Sequence, residues 1–378
     1  MVYPLGPAAI ILMPMLVGGV IDDFGFTEQQ AGYIASLEGM GLVLASLAAA
    51  LWIRKVSWTI MLACAFIALA LLNVLSAHLN EFFPLSAVRF FAGFAAGSIF
   101  AITVAALGDN RQPDQAFGIA QVVQGAMMFF AFAGAPHILA RWSVSGLYYL
   151  LAAASVLMLF TLIRYPCAGA QKNIAENVSG TRPAHSGLLW IGLLASFLFF
   201  CNVFGFWTYI GRVGQAAGLS LESIGLALGL SQFAAILGAG AAAIASDRYG
   251  RAAPLVLALM GQVLVLWLLV GQFASITFFL GAGLFQALFM LANSYQLGVI
   301  AKMDNHGNFL VLATAFQGLG AAIGPGIAAS LIDQNDYSRV NLIAAVFCLV
   351  SIVLFLFIIY RTNHSGPAMA GHRHGANL

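Results

Sequence analysis

The chain has 378 residues, of which 62% are hydrophobic and only 7% are charged, and its formal net charge is +2. A water-soluble domain of this length could not bury so much apolar surface, so the composition excludes an ordinary soluble protein and indicates a chain that lies within a bilayer. No basic patch points to nucleic-acid binding, and the four cysteines are scattered without metal-type or redox-type spacing, so no cofactor, metal site or catalytic residue set is expected.

Twelve apolar segments follow one another along the chain, and each is long enough to span a bilayer as an α-helix. The pattern therefore predicts an all-α integral membrane protein with twelve transmembrane helices. The segments cover 3–21, 30–53, 57–77, 82–108, 115–140, 145–164, 187–211, 219–246, 252–271, 274–301, 308–332 and 340–360.

A polar stretch at 165–186 divides the twelve segments into two sets of six, and we interpret it as a cytosolic linker. We therefore expect an N-terminal six-helix bundle at 1–164 and a C-terminal six-helix bundle at 187–361. The polar residues that follow, 362–378, are expected to form a disordered tail.

The two predicted bundles share a sequence repeat, which suggests that they are pseudo-symmetric. Residues 25–55 align with residues 218–248 without a gap, and the same offset places Gln124 on Gln317. Two similar bundles in tandem are typical of carriers that rock around a central binding site.

The distribution of basic residues predicts how the chain is oriented. Eleven Lys and Arg residues fall on the side of the predicted linker and three on the opposite side, whose connections are acidic instead. By the positive-inside rule, the linker and both termini are cytosolic. We therefore expect a multi-pass protein of the inner or plasma membrane.

Two charged residues lie clearly inside the predicted spans, Glu38 in the second and Arg89 in the fourth. Each lies about two helical turns below the outer surface, so the two can meet. One interpretation is a proton-binding site, in which protonation of Glu38 releases Arg89 to hold a substrate anion or carbonyl. The alternative is a static ion pair that fixes the packing of the helices.

Small residues and prolines inside the spans are candidates for helix packing. Gly93 and Gly97 follow Arg89 at a spacing of four, which forms a stripe that lets a neighbouring helix approach closely. Pro136 in the fifth span and Pro325 in the eleventh interrupt the helical hydrogen bonding and predict kinks or close packing.

Eight uncharged polar residues within the spans are candidates for a substrate cavity, because a buried amide or hydroxyl group needs a partner. Each of them either bonds a neighbouring helix or contacts the substrate, and their matching positions favour Gln124 and Gln317. The eight are Gln121, Gln124, Asn202, Ser231, Gln232, Gln286, Asn293 and Gln317.

The connection after the eighth span contains an acid, a glycine and two arginines, and reads Asp-Arg-Tyr-Gly-Arg over residues 247–251. This motif resembles the cytosolic signature of the major facilitator superfamily, although Ala243 stands where that family usually has glycine. The first-half counterpart, 53–55, keeps the basic charge and lacks the acid. The fourth span is similar to that family's fourth-helix motif, and the close of the fifth, 134–136, resembles its antiporter signature.

The resemblance implies a cytosolic gate that stabilises the state closed to the cytosol. The alternative is a plain loop whose positive charge only orients the chain. The gate residues that the resemblance implies are Arg54, Asp247, Arg248, Gly250 and Arg251.

The resemblance covers nearly the whole chain and implies secondary active transport of a small organic solute, coupled to protons, with export favoured and no enzymatic activity. No phosphate-binding loop of the GxxxxGK[ST] type occurs, so ATP is not the direct driver. The expected partners are the solute, protons and the lipid bilayer, and we expect a monomer. Two alternatives stay open: uptake of an organic anion with Arg89 as its counter-charge, and a carrier-like receptor or lipid scramblase.

Overall fold

The computed structural model describes residues 5–53, 55–110, 112–164, 186–245, 248, 250–304, 308–332 and 336–364. α-Helices account for nearly all of them. In chain order the helices are α1 (Ala8–Ile11), α2 (Met13–Phe24), α3 (Glu28–Trp52), α4 (Trp58–Ser76), α5 (Phe82–Gly108), α6 (Pro113–Leu159), α7 (Ser186–Ala216), α8 (Leu221–Ala245), α9 (Ala252–Leu268), α10 (Ser275–Met303), α11 (Asn308–Leu331) and α12 (Ser338–His364).

The prediction of an all-α membrane protein is confirmed, with one difference in how the segments become helices. The first predicted span is divided into α1 and α2, and Pro14 lies in the first turn of α2, where its missing N–H costs nothing. We label the fifth and sixth spans together as α6, in which Ser143 has non-helical backbone angles (φ 53°, ψ −168°) and separates two helices, as the two predicted spans require. Within the described residues, nine helices are long and apolar enough to cross a membrane, with α6 counted once.

The bend in α6 is held by a contact with the first span. Ser143 adopts a positive φ of 53°, which is uncommon for a residue with a side chain. The N–H of Val144, the next residue, donates to the Asp23 carboxylate at 2.6 Å. Asp23 therefore satisfies an N–H group that the bend removes from the helical pattern.

The sequence repeat produces the same local structure twice. Gly25 and Gly218 each adopt a positive φ, 73° and 83°, and so make the tight turn that a side chain would hinder. The next helix is then capped by a hydroxyl. Thr27 accepts from the N–H of Gln30 at 3.1 Å, and the aligned Ser220 accepts from the N–H of Ser223 at 3.3 Å. The turn and the cap recur, as the aligned residues predict.

Helices α1–α6 and α7–α12 form the two six-helix bundles. In the first, α5 packs against α3 and α4; in the second, α7 packs against α11 and α12, and α8 against α10. The bundles contact each other mainly where α3 meets α11, where α6 meets α8 and where α2 meets α7. The boundaries of the predicted linker and tail fall largely on residues outside the described ranges and stay predictions.

Glycines allow the closest helix contacts within each half. A methyl group at Gly93 would overlap the main-chain oxygen of Glu38, and one at Gly97 would overlap that of Leu42. The backbones of α3 and α5 therefore touch along this stripe, as in other small-residue contacts between membrane helices.

The two main contacts between the halves have the same construction. Gly32 on α3 packs against Pro325 and Ala329 of α11, and the aligned Gly225 on α8 packs against Phe132 and Pro136 of α6. The repeat also aligns Phe132 with Pro325 and Pro136 with Ala329. The two crossings, which we call the two seams, are therefore one contact made twice, and Pro136 and Pro325 both take part in it.

Candidate functional site

A polar cluster joins the two halves at the end of the molecule where α3 begins, which we call the Glu28 end. Arg212 of α7 lies 2.7 Å from the Asp22 carboxylate and 3.1 Å from that of Glu28. Its Nε also donates to the hydroxyl of Tyr337 at 3.2 Å. Since Asp22 and Glu28 belong to the first half and the other two residues to the second, the cluster fastens the halves together.

Two tyrosines complete this cluster. The hydroxyl of Tyr337 donates to the Glu28 carboxylate, and that of Tyr209 donates to the main-chain oxygen of Glu28 at 2.7 Å. Burial, reinforced by the hydrogen bond to Glu28, raises the pKa of the Tyr337 phenol. The phenol therefore stays protonated and can donate over the whole physiological range. We call Asp22, Glu28, Tyr209, Arg212 and Tyr337 the Glu28 cluster.

A cavity of about 320 Å³ lies between the halves, further from the Glu28 end. On the side away from the Glu28 end, the cavity is lined by Gly118, near the start of α6, and by Gly240, near the end of α8. Both glycines are exposed, so the cavity opens on that side. Near the Glu28 end it stops at Trp207, whose indole N–H donates to the main-chain oxygen of Ile11 at 2.9 Å. The described halves are therefore held together by the Glu28 cluster at one end, where a second cavity of about 540 Å³ also lies between them, and they leave this cavity further along.

Glutamines and aromatic rings line this cavity, together with small and aliphatic residues. The four glutamines are Gln121 and Gln124 from α6, Gln232 from α8 and Gln286 from α10. The rings are Phe204, Trp207 and Phe289. Among the described residues that line it, none is charged.

Four of the eight residues predicted for a substrate cavity thus line this one, and the other four do not. Asn202 donates to Gln262 at 3.1 Å, and Gln317 donates to Asn293 at 2.9 Å, so these amides join helices within the second half. Ser231 donates to a carbonyl of its own helix. The three amides thus make the helix–helix bonds that were the alternative to substrate contact, and Ser231 bonds within its own helix.

Glu38 and Arg89 form a buried pair inside the first half. Their side chains are 4% and 1% exposed, and both guanidinium Nε and Nη2 donate to the Glu38 carboxylate. Arg89 also donates to Asn73 at 2.8 Å, and it lies 5.0 Å from the centre of the Tyr148 ring. The pair joins α3, α4, α5 and α6 and does not line the cavity.

Sequence reasoning missed Asn73 and Tyr148, although a signal existed for the first. Asn73 is the one amide in the apolar run of α4, and a buried amide of that kind needs a partner. In the sequence, Arg212 was counted only as one of the three basic residues on the side opposite the linker. An arginine on the acidic side of the chain could have been predicted to pair with the acids around it.

The structure describes part of the predicted cytosolic gate. Gly250 has a φ of 66°, so it makes the tight turn for which glycine was expected. Arg251 donates to the main-chain oxygen of Gly298 and thereby ties the connection after α8 to α10 of the same half. Arg248 lies in the turn beside them. Arg54 and Asp247 lie outside the described residues, so the gate as a whole stays a prediction.

Comparison with known proteins agrees with the family that the sequence motifs resemble. The family model described as the Major Facilitator Superfamily matches residues 6–270 and 192–374. No curated protein sequence matches the chain.

Solved transporters share the fold. A mutant of the nucleoside transporter NupG is 12% identical, with 94% of this chain and 97% of that chain covered and a TM-score of 0.77. A D-xylose–proton symporter is 14% identical, with 94% and 95% covered and a TM-score of 0.74. A bacterial homologue of the human lysosomal transporter Spinster, inward-facing and unoccupied, is 12% identical, with 96% and 95% covered and a TM-score of 0.73.

Proposed function

Because the chain belongs to the Major Facilitator Superfamily and is a transporter of some solute, we propose that it exports a small organic solute by proton-coupled alternating access. The observation that carries the proposal is the cavity between the halves, which ends at Trp207 and opens at the opposite end. Both halves of one chain contribute to it, so we propose that the monomer is the transporting unit. No second chain is needed to complete the site.

We propose that the Glu28 end faces outward and that this conformation is open to the cytosol. The excess of basic residues on the other side supports this orientation. In the alternate conformation, the Glu28 cluster and the two seams separate, and the opposite end closes. The Glu28 cluster is then the outer gate, because it consists of contacts that exist only while the halves are joined there.

Replacing Arg212 with glutamine removes the cation that bridges Asp22 and Glu28, so we expect the outward-open population to rise by about fivefold or more. Glu81 and Ala274 are exposed at the Glu28 end, one in each half, and can carry spin labels. Double electron–electron resonance will then measure a longer distance between the two labels when the outward-open population rises. Arg141→Gln, an exposed arginine at the same end, is the control and will leave the distance unchanged. An unchanged distance in the Arg212 variant as well would show that the Glu28 cluster is not a gate.

For proton coupling we propose Glu38 as the site that takes up the proton. A proton on Glu38 would leave Arg89 as a buried cation without a carboxylate, which is unfavourable and gives the surrounding helices a reason to repack. Glu38 lies on α3, which also carries Glu28 and the seam residue Gly32. One rigid helix therefore connects the proton site with the contacts that open and close.

In proteoliposomes, we expect Glu38→Gln to abolish substrate-dependent proton flux, because glutamine cannot exchange a proton at this position. A counterflow screen of chemically distinct solutes first identifies a substrate for this experiment. Counterflow needs no proton gradient, so the screen does not depend on the proposed coupling. Glu222→Gln, an exposed carboxylate in the first turn of α8, is the matched control and should couple normally. If Glu38→Gln couples as well as the parent protein, the proton site lies elsewhere.

Uptake of an organic anion has less support from the geometry. It needs a cation that faces the substrate, and the described residues that line the cavity include none. Arg89, the proposed counter-charge, is 1% exposed and already paired with Glu38. A weakly polar, uncharged compound therefore fits the cavity better than an organic anion does.

A further inference from the structure

The cavity also indicates what chemistry it binds. We infer that it takes an uncharged, planar compound that carries both hydrogen-bond donors and acceptors, of the class of amide-substituted or keto-substituted heteroaromatic rings. The inference rests on the proposed function in one respect, that this cavity is where the solute binds.

Charge is the first argument. An ion that leaves water for a cavity between membrane helices loses its hydration and must find an opposite charge there. The described lining contains no acidic, basic or histidine side chain. Glu38 and Arg89, which are buried in the first half and do not line the cavity, neutralise each other. The cavity therefore favours a neutral ligand over an anion or a cation.

The glutamines are the second argument. Gln124 and Gln286 are each only 8% exposed, and within the described residues neither has a hydrogen bond to the protein. Among the described residues, neither amide belongs to the enclosed polar groups that lack a partner, so both reach the cavity space, where water or a ligand can satisfy them. Gln121 and Gln124 are three residues apart and lie on one face of α6, which points both amides at the same space.

These amides define the polar pattern of the ligand. Each glutamine presents an N–H donor pair and a carbonyl acceptor in one plane. A compound with donor and acceptor groups in a similar plane can pair with them edge to edge, as primary amides and lactam rings do. A hydrocarbon would leave both buried amides unsatisfied, so a purely apolar compound fits poorly.

The aromatic wall is the third argument. Phe204 and Phe289 lie with ring centroids 6.3 Å apart, at an interplanar angle of 88°. Trp207 uses its only donor on Ile11, so it offers the ligand a flat ring surface alone. Such surfaces favour stacking with another ring. The cavity volume, about 320 Å³, lies at the small end of small-molecule sites, which suits one or two rings.

Equilibrium dialysis with the full chain in nanodiscs tests this inference without requiring transport. The probes are two matched pairs of neutral and anionic rings, nicotinamide with nicotinate and uracil with orotate, and D-xylose as a neutral compound without a ring plane. We expect at least one neutral ring to bind about tenfold or more tightly than both its anionic partner and D-xylose.

Variants locate the binding. Gln124→Leu and Gln286→Leu should each weaken binding of the neutral ring by about tenfold, a typical effect for one hydrogen bond. Gln115→Leu, an exposed glutamine on the same helix that does not line the cavity, is the control and should bind normally. Unchanged binding in both cavity variants would overturn the inference.

The remaining outcomes separate the inference from the proposed function. Equal or tighter binding of the anions, binding of D-xylose alone, or no binding of any ring at millimolar concentration would each overturn the inference. Proton-driven movement of nicotinate or D-xylose would still leave the transport function standing. Conversely, a neutral ring that binds at the glutamines but is never moved across the membrane would support the inference and contradict the proposed function.

Discussion

Replacing Arg89 with methionine will lower the free energy of unfolding by about 3–5 kcal/mol, the usual effect of removing one partner from a buried ion pair. The change leaves the Glu38 carboxylate 3% exposed with no cation, and it also removes the donors to Asn73 and Ser76. The pair lies where four helices of the first half meet, so no nearby solvent can replace the lost contacts. Chemical unfolding of the purified protein measures the effect.

The double variant Glu38→Leu with Arg89→Met separates structure from coupling. Removing both charges together leaves no unpaired ion, so stability should return to within about 1–2 kcal/mol of the parent, since such replacements are often neutral. Proton coupling should stay absent. Arg141→Met, at an exposed arginine, controls for the loss of a charge as such and should unfold like the parent. If Arg89→Met alone is as stable as the parent, the pair does not hold the first half together.

Replacing Gly225 with leucine will open the Glu28 end. The first carbon of the new side chain would lie 2.5 Å from the main-chain oxygen of Phe132 and 2.8 Å from the ring of Pro136, so α8 must move away from α6. Overpacking of this kind typically costs about 1–3 kcal/mol. In the proposed cycle the contact belongs to only one conformation, so that cost should shift the equilibrium about 5- to 150-fold toward the alternate state.

The labels at Glu81 and Ala274 measure this shift as well, and the chain offers a matched control. Gly134 lies on the same helix as Phe132, and nothing lies within 4 Å of a methyl group placed there, so Gly134→Leu should leave the distance unchanged. Gly32→Leu at the other seam should behave like Gly225→Leu. A fall in stability with no change in distance would show that the seams do not separate during the cycle.

Much of the fold could be predicted from the sequence because a local pattern of apolar residues predicts each membrane helix. A run of apolar residues is enough to predict a span, and the repeat was enough to predict two similar bundles. The turn at Ser143 between the two helices of α6 could not be predicted in this way. It depends on Asp23, which is 121 residues distant from the N–H that it accepts.

The candidate site was predictable only in part, for the same reason. An amide in an apolar helix signals that it needs a partner, but whether that partner is another helix or a solute depends on tertiary packing. Gln124 and Gln317 occupy matching positions in the repeat, yet Gln317 bonds Asn293 and only Gln124 lines the cavity. The Glu28 cluster was missed because Glu28 and Tyr337 lie 309 residues apart.

The two seams have a consequence for the electrical insulation of the membrane. At each seam, atoms of the other half lie directly over a glycine, α11 and the Tyr209 hydroxyl over Gly32 and α6 over Gly225, and the gap does not admit even a methyl group. A file of water molecules, along which protons could hop, therefore has no room to form between these helices. In the proposed cycle, such contacts would keep protons from leaking between these pairs of helices while the Glu28 end is closed.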